Sequence, residues 1–153
     1  MTARYFQFES DFVESLRCVP MTVRYKLDLA GIKLKLNEWS KLDPAERAYL
    51  AEMPYINRAE IQAFRNMLSI LVRINCGVMP TLMEPVKPDW GGAEVPDQVA
   101  EKAVTLGAAV SPDSWLGLGE LERFALMKLS RPGHEGKNFL PALEEFGVTH
   151  GGE

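Results

Sequence analysis

Val19-Pro20-Met21-Thr22-Val23-Arg24-Tyr25-Lys26-Leu27-Asp28-Leu29-Ala30-Gly31, followed by Ile32-Lys33-Leu34-Lys35-Leu36-Asn37-Glu38-Trp39 and Asp43-Pro44-Ala45-Glu46-Arg47, decides the fold. Proline suits a helix start, where the N–H it lacks has no intrahelical partner anyway. Val23, Leu27 and Ala30 then recur at helical spacing. Gly31 stops the helix, as a residue at positive φ does just past a C-terminus. Ile32-Lys33-Leu34-Lys35-Leu36 alternates apolar and charged, a strand pattern. Trp39 falls in a short second helix. Asp43-Pro44-Ala45-Glu46 opens a third, with Asp43 as cap and Glu46 closing a capping box.

The same signals return 76 residues later. Without gaps, Val19-Pro20 falls on Val95-Pro96, Val23 on Val99, Lys26 on Lys102 and Gly31 on Gly107. Trp39 falls on Trp115, Leu42 on Leu118, Glu46-Arg47 on Glu122-Arg123 and Leu50 on Leu126. These are ten identities between residues 19–50 and 95–126, where about two arise by chance at average residue frequencies. We therefore expect an internal duplication, with repeats at 19–54 and 95–130. The alternative is two helix pairs that look alike because both obey the same capping rules. In the second copy Val99, Ala103 and Leu106 give the helical spacing. Ser111-Pro112-Asp113 supplies a cap, a first-turn proline and an acid. Gly119-Glu120-Leu121-Glu122 is the weaker copy of the capping box. Ala108-Ala109-Val110 is the counterpart of the alternating segment, so a tiny two-stranded ribbon joining the repeats is possible.

Between the repeats lies the longest helix. Asn57 caps it, Glu60 closes a box, and Gly77 ends it, with Ile61, Phe64, Leu68, Leu71 and Val72 on one face. A short helix capped by Ser10, with Phe12, Val13 and Leu16 apolar, is expected before the first repeat. A last helix is expected over 140–146, stopped by Gly147. Residues 77–94 contain three prolines and three glycines and read as a linker over the surface, pinned by Trp90, Leu82 and Met83. The fold class is all-α, a single domain over 1–153 with about eight helices and two pseudo-symmetric helical repeats around the central one.

At 153 residues the chain is long enough to bury a core. A hydrophobic share of 46% and a charged share of 25% argue against wholesale disorder. Lys plus Arg number 17 against 21 Asp plus Glu, which argues against nucleic acid as a partner. Residues 1–76 carry 11 basic and 9 acidic side chains, and residues 77–153 carry 6 and 12. The start of the chain lacks an apolar stretch of signal-peptide length, and Ser69 and Arg73 interrupt the most apolar region, so cytoplasmic localisation without a membrane span is expected. Cys18 and Cys76 are too few for a disulfide scaffold and read as small buried hydrophobes.

No nucleophile elbow, phosphate-binding glycine loop or zinc motif is present. His134 and His150 are the two histidines, and His150 sits in a glycine-flanked tail expected to fray. No catalytic residue, metal ligand or cofactor is expected, and the chain is read as no enzyme. The Glu46-Arg47 and Glu122-Arg123 pairs read as structural, with each Arg reaching a carbonyl or carboxylate. The densest polar region is 129–141, where Arg131, Pro132, Gly133, His134, Glu135, Lys137, Asn138 and Phe139 follow a helix end at Ser130. It reads either as a solvated turn or as a recognition loop framed by helices, with Asn138 capping the next helix.

Two segments carry a family resemblance. One is Phe6-Gln7-Phe8-Glu9-Ser10-Asp11-Phe12 with Leu16-Arg17-Cys18-Val19-Pro20 and Val23-Arg24-Tyr25-Lys26-Leu27-Asp28. The other is Arg123-Phe124-Ala125-Leu126-Met127-Lys128-Leu129-Ser130-Arg131-Pro132-Gly133-His134-Glu135, continued by Lys137-Asn138-Phe139-Leu140-Pro141. Together they resemble the bacterial nitrate reductase associated protein family. The chain departs from that pattern at Gly136, where a polar residue such as Asn is expected. It departs again at Ala30, where a Cys is expected, which weakens any metal or iron–sulfur role there. The resemblance implies a small cytoplasmic accessory or assembly factor for a molybdenum-containing assimilatory nitrate reductase. The partner would be the reductase or its cofactor-insertion machinery, met through the 131–139 loop. The alternative is a non-catalytic binder of a small ligand such as nitrate or a molybdopterin precursor. Oligomeric state is left open.

Overall fold

In a computed structural model, described for residues 3–12, 14–86, 90, 92 and 94–148, the expected helix punctuation is met at most points. The side chains of His134 and Glu135 lie outside the described residues, as do Val13 and His150. The first helix, α1, spans Met21–Ala30. Strand β1 (Ile32–Lys33) and helices α2 (Leu36–Lys41), α3 (Pro44–Glu52) and α4 (Arg58–Cys76) follow. After strand β2 (Thr81–Leu82) come α5 (Asp97–Thr105), α6 (Pro112–Leu116), α7 (Glu120–Leu129) and α8 (Phe139–Glu145). Short 3-10 helices cover Gln7–Glu9 and His134–Asn138. The protein is thus mostly helical, with eight α-helices and a two-stranded antiparallel ribbon among the described residues.

The chain divides into two compact units, one of Met1–Tyr5 and Glu9–Lys87, the other of Phe6–Phe8 and Pro88–Glu153. In the first unit, α1, α2 and α3 pack on α4, and Val23, Leu27, Trp39, Leu50, Phe64 and Leu68 form the centre of the core. The Trp39 indole is fully buried and donates to the Leu16 carbonyl at 2.7 Å. In the second unit Val99, Trp115, Phe124, Leu126, Phe139 and Leu143 are buried. The Trp115 indole donates to the Trp90 carbonyl at 3.2 Å. Arg123 reaches that same carbonyl through Nη1 at 3.0 Å and lies over the Trp115 ring, its guanidinium carbon 5.1 Å from the ring centre.

The caps explain why the helices start where they do. Asp43 accepts from the Glu46 N–H at 2.8 Å, and Glu46 returns the bond to the Asp43 N–H. Asn57 and Glu60 repeat the exchange at α4, and Ser111 accepts from the Ser114 N–H at α6. At α7 the Glu122 carboxylate accepts from the Gly119 N–H, half of a box, since glycine has no side chain to return it. Gly31, Gly77, Gly107 and Gly147 all have positive φ just beyond helix ends. Pro20 and Pro96 sit at the N-cap and not inside the first turn.

Three expectations are corrected. Among the described residues of 10–16 no α-helix forms: after the 3-10 helix, residues 10–12 and 14–16 are in turns, with Leu16 at φ 52°. Pro20 has no side-chain acceptor for the start of α1, and Glu9, buried, supplies one by accepting from the Met21 N–H at 2.7 Å. The tight turns allow that long-range cap, and the carboxylate sits at the positive end of the helix dipole. The ribbon forms, but β1 pairs with β2 from the linker, Ile32 opposite Leu82 and Lys33 opposite Thr81. Ala108 instead folds back to close α5, its N–H donating to the Ala103 carbonyl at 2.8 Å. Within the linker Trp90 is buried, but Leu82 is exposed, and backbone bonds do the holding. The Met83 N–H donates to Gly31 and the Val86 N–H to Asp28, both at 2.9 Å.

Candidate functional site

The 130–139 region begins where α7 ends. Ser130 is buried, and its hydroxyl donates to the Met127 carbonyl at 2.8 Å. Gln98, from α5, closes over this end: its amide donates to Ser130 Oγ at 2.6 Å and to the Met127 carbonyl at 2.8 Å. Each satisfies a group that a helix end leaves without an intrahelical partner. Arg131, Pro132 and Gly133 are then exposed. Gly133 has φ 136°, a conformation open to glycine and costly for other residues. From Gly133 the chain makes the 3-10 turn, with the Gly136 N–H donating to the Gly133 carbonyl at 3.1 Å.

Gly136 is buried where the other end of the loop is fixed. A Cβ there would lie 3.0 Å from Lys102 Nζ and 3.8 Å from the Leu129 carbonyl oxygen. So the α5 lysine lies against the loop backbone beside the end of α7. Lys137 is exposed and Asn138 half-buried. Asn138 occupies the N-cap position of α8, but its side chain makes no capping bond there. Phe139 is fully buried and is part of the core, so the accessible part of the loop ends at Asn138. The reason is positional: Phe139 is the first residue of α8, where an apolar side chain turns inward with Ala142 and Leu143.

The 131–139 residues named from the sequence are therefore brought to one loop, with Arg131 and Lys137 as its exposed cations and Phe139 beneath it. The backbone of His134 and Glu135 runs through the 3-10 turn. Cys18 is an exposed free thiol; Cys76 is half-buried, with Sγ 3.8 Å from the Glu38 carbonyl oxygen. Among the described residues no three His, Cys, Asp or Glu side chains gather to hold a metal ion, and no helix is long and apolar enough to cross a membrane.

A cleft of about 340 Å³ in the second unit is lined by Gln7, Phe8, Pro141, Glu144 and Glu145. Glu145 is engaged by the Gln7 N–H at 2.8 Å. Two carboxylates make this lining repulsive to nitrate or a phosphate.

Residues 5–146 match the conserved nitrate reductase-associated protein family. The chain belongs to that family. The match spans residues 19–54 and 95–130 and the whole 131–139 loop. No curated protein and no solved structure matches the chain. For this nitrate reductase-associated chain, sequence reading missed one arrangement of polar atoms. Lys26 lies on the buried face of α1, and its Nζ donates to the carbonyls of Leu50, Ala51 and Met53, each at 2.8 Å. Nζ also stands 5.4 Å from the centre of the Phe64 ring. Burial lowers its pKa to about 8, with the Glu52 charge opposing the shift. The signal was present: a lysine three residues from Val23 and four from Ala30 sits on an apolar face.

Proposed function

We propose that this protein is an accessory factor that supports the biogenesis or activity of a cytoplasmic molybdenum-containing nitrate reductase by binding it or its cofactor-insertion machinery. Family membership names the reductase. The observation that carries the choice of surface is a loop fixed at both ends, by Gln98 on Ser130 and by buried Gly136 and Phe139, with Arg131 and Lys137 exposed between them. Fixed ends lower the ordering cost of binding, and two cations on a held backbone suit a carboxylate or phosphate of the partner. His134 completes the proposed contact. Catalysis is assigned to the reductase and none to this chain. The test is capture of purified reductase by wild-type protein and by Arg131→Ala, His134→Ala and Lys137→Ala variants that unfold at the same urea concentration. Weakened capture and weakened support of reductase activity are expected; unchanged capture and unchanged activity overturn the reading.

A further inference from the structure

The cleft of the second unit has two kinds of wall. Phe8 and Pro141 are apolar, and Gln7, Glu144 and Glu145 are polar. Its volume of about 340 Å³ lies at the small end of ligand pockets, which run from about 300 to 1,000 Å³. The Phe8 ring is fixed from behind. It stacks on Phe6, with ring centres 5.3 Å apart and planes at 17°. Phe6 is buried and meets Phe146 edge-on, with centres 5.0 Å apart. Phe146 directly follows α8, whose last two residues are Glu144 and Glu145. One helix end therefore carries both the support of the apolar wall and the acids.

Those acids stand where a helix least favours them. The C-terminal end of α8 is the negative end of its dipole, where cations stabilise and carboxylates repel, and no basic residue stands in its last turn. Glu145 accepts from the Gln7 N–H at 2.8 Å. Glu144 is exposed, and no described residue donates to its carboxylate. Other cations of this unit are engaged elsewhere: Arg123 over Trp115, Lys128 over the Phe124 ring at 5.2 Å, and Lys102 against Gly136. We propose that the cleft binds an alkylammonium or alkylguanidinium group, the chemistry shared by lysine and arginine side chains and by polyamines. The methylene stem lies along Phe8 and Pro141, and the charged head meets the two carboxylates. The head supplies the positive charge that the end of α8 lacks. Two acids that weaken a helix end and hold a cation break a local rule where function gains from it. The proposal uses no residue of the 131–139 loop, so it stands or falls apart from the reading above.

Titrations of the full chain followed by backbone amide NMR test it. N-acetyl-lysine amide is expected to shift the signals of Gln7, Phe8, Glu144 and Glu145, with a dissociation constant on the order of 1 mM. N-acetyl-norleucine amide keeps the stem and lacks the charge, and is expected to bind about fivefold more weakly. Raised salt should bring the lysine probe towards the norleucine value. Glu144→Gln is expected to bind the lysine probe roughly threefold less tightly. The same substitution should raise the urea midpoint, since a carboxylate leaves the negative end of α8. Spermidine and a pentapeptide with lysine at its centre separate the sources of the cation. Tighter binding of the peptide makes it a protein side chain, and tighter binding of spermidine makes it a free polyamine. Equal binding of the lysine and norleucine probes overturns the proposal, as does a Glu144→Gln variant that binds the lysine probe unchanged. Shifts at other acidic residues and none in the cleft also overturn it, because the cation then meets only the general negative charge of the unit.

Discussion

Lys26 and Lys102 stand 76 residues apart, each six residues beyond a proline that opens a helix, and the two units use them differently. Lys26 is 1% exposed, and its three hydrogens meet three carbonyls at the end of α3. Lys102 is half-buried, and its Nζ lies beside Gly136 in the loop that follows α7. In the first unit the lysine closes a helix end inside the core. In the second it lies under a surface loop. The helix that carries each lysine is set by the same local signals, so what differs is the segment that follows the third helix. After α3 the chain passes Met53 and Pro54 into α4; after α7 it runs out through Arg131 to Asn138.

Replacing the two lysines is the strongest way to break this comparison. Lys26→Met takes a donor from each of three carbonyls, of which Leu50 keeps the Met53 N–H at 3.3 Å, and is expected to cost about 3 kcal/mol. Lys102→Met, at a half-buried position, is expected to cost under about 1 kcal/mol. Urea unfolding followed by circular dichroism measures both. Equal costs erase the distinction between a core lysine and a loop lysine.

The helix-stopping glycines give a second matched pair. Gly31 and Gly107 share a left-handed backbone, at φ 74° and 76°. A Cβ at Gly31 would lie 2.6 Å from the Met83 carbonyl oxygen, where the linker backbone bonds to the end of α1. At Gly107 it would meet nothing within 4 Å. Gly107→Ala is expected to cost about 1 kcal/mol, the backbone strain alone. Gly31→Ala should cost roughly 1–2 kcal/mol more, because β2 and the residues after it must shift. A smaller gap between the two unfolding midpoints means that the linker does not need its close approach.

These two pairs show what was legible in the sequence. Caps and stops depend on residues within four positions of each other, so Asp43 with Glu46, Asn57 with Glu60, Ser111, Gly31 and Gly107 could all be read directly. The partner of β1 could not, because Thr81–Leu82 is reached across all of α4. Nor could the fate of the segment before α1, since Glu9 is drawn to a helix start 12 residues away. Periodicity did show the core face of α4, because Phe64, Leu68 and Val72 repeat every four residues along it. In the loop, polar crowding pointed to the exposed cations, but it also swept in Phe139, which helix α8 turns inward. The Lys102 contact with Gly136 depends on the packing of α5 beside α7 and has no signature in either segment alone.

Lys26 also gives the first unit a pH dependence that the second is not expected to share. Folded, it gives up its proton near pH 8; unfolded, it holds the proton to the ordinary value of 10.5. Between these values unfolding takes up a proton, so stability rises with pH, by at most about 1.4 kcal/mol per unit. Below pH 8 both states are protonated and this contribution is flat. The neutral amine still has two donors for the carbonyls. Tyr5, whose pKa is raised by burial and by the charges of Glu52 and Glu9, acts in the opposite sense and only above its ordinary value of 10. The window from pH 8 to 10 therefore isolates Lys26. Urea midpoints across it should climb in the wild type and stay level in Lys26→Met; a fall over that window contradicts the assignment.

The smallest effect is expected at Gly136, and it tests whether Lys102 touches the loop at all. This glycine has no positive φ, so alanine fits its backbone. Its new Cβ would lie 3.0 Å from Lys102 Nζ, the far end of a flexible side chain that can move by a few tenths of an ångström. Two opposing terms result. Alanine restricts the unfolded chain and so stabilises by about 0.4–1 kcal/mol, while displacing the ammonium costs a similar amount. Gly136→Ala alone should therefore leave the urea midpoint almost unchanged. With Lys102→Ala in place the crowding is gone, and the same substitution should stabilise by roughly 0.5 kcal/mol. The coupling between the two changes, read from the double-mutant cycle, is the contact itself. A coupling of zero separates Lys102 from the loop and leaves Gln98 as the side chain that holds it from α5.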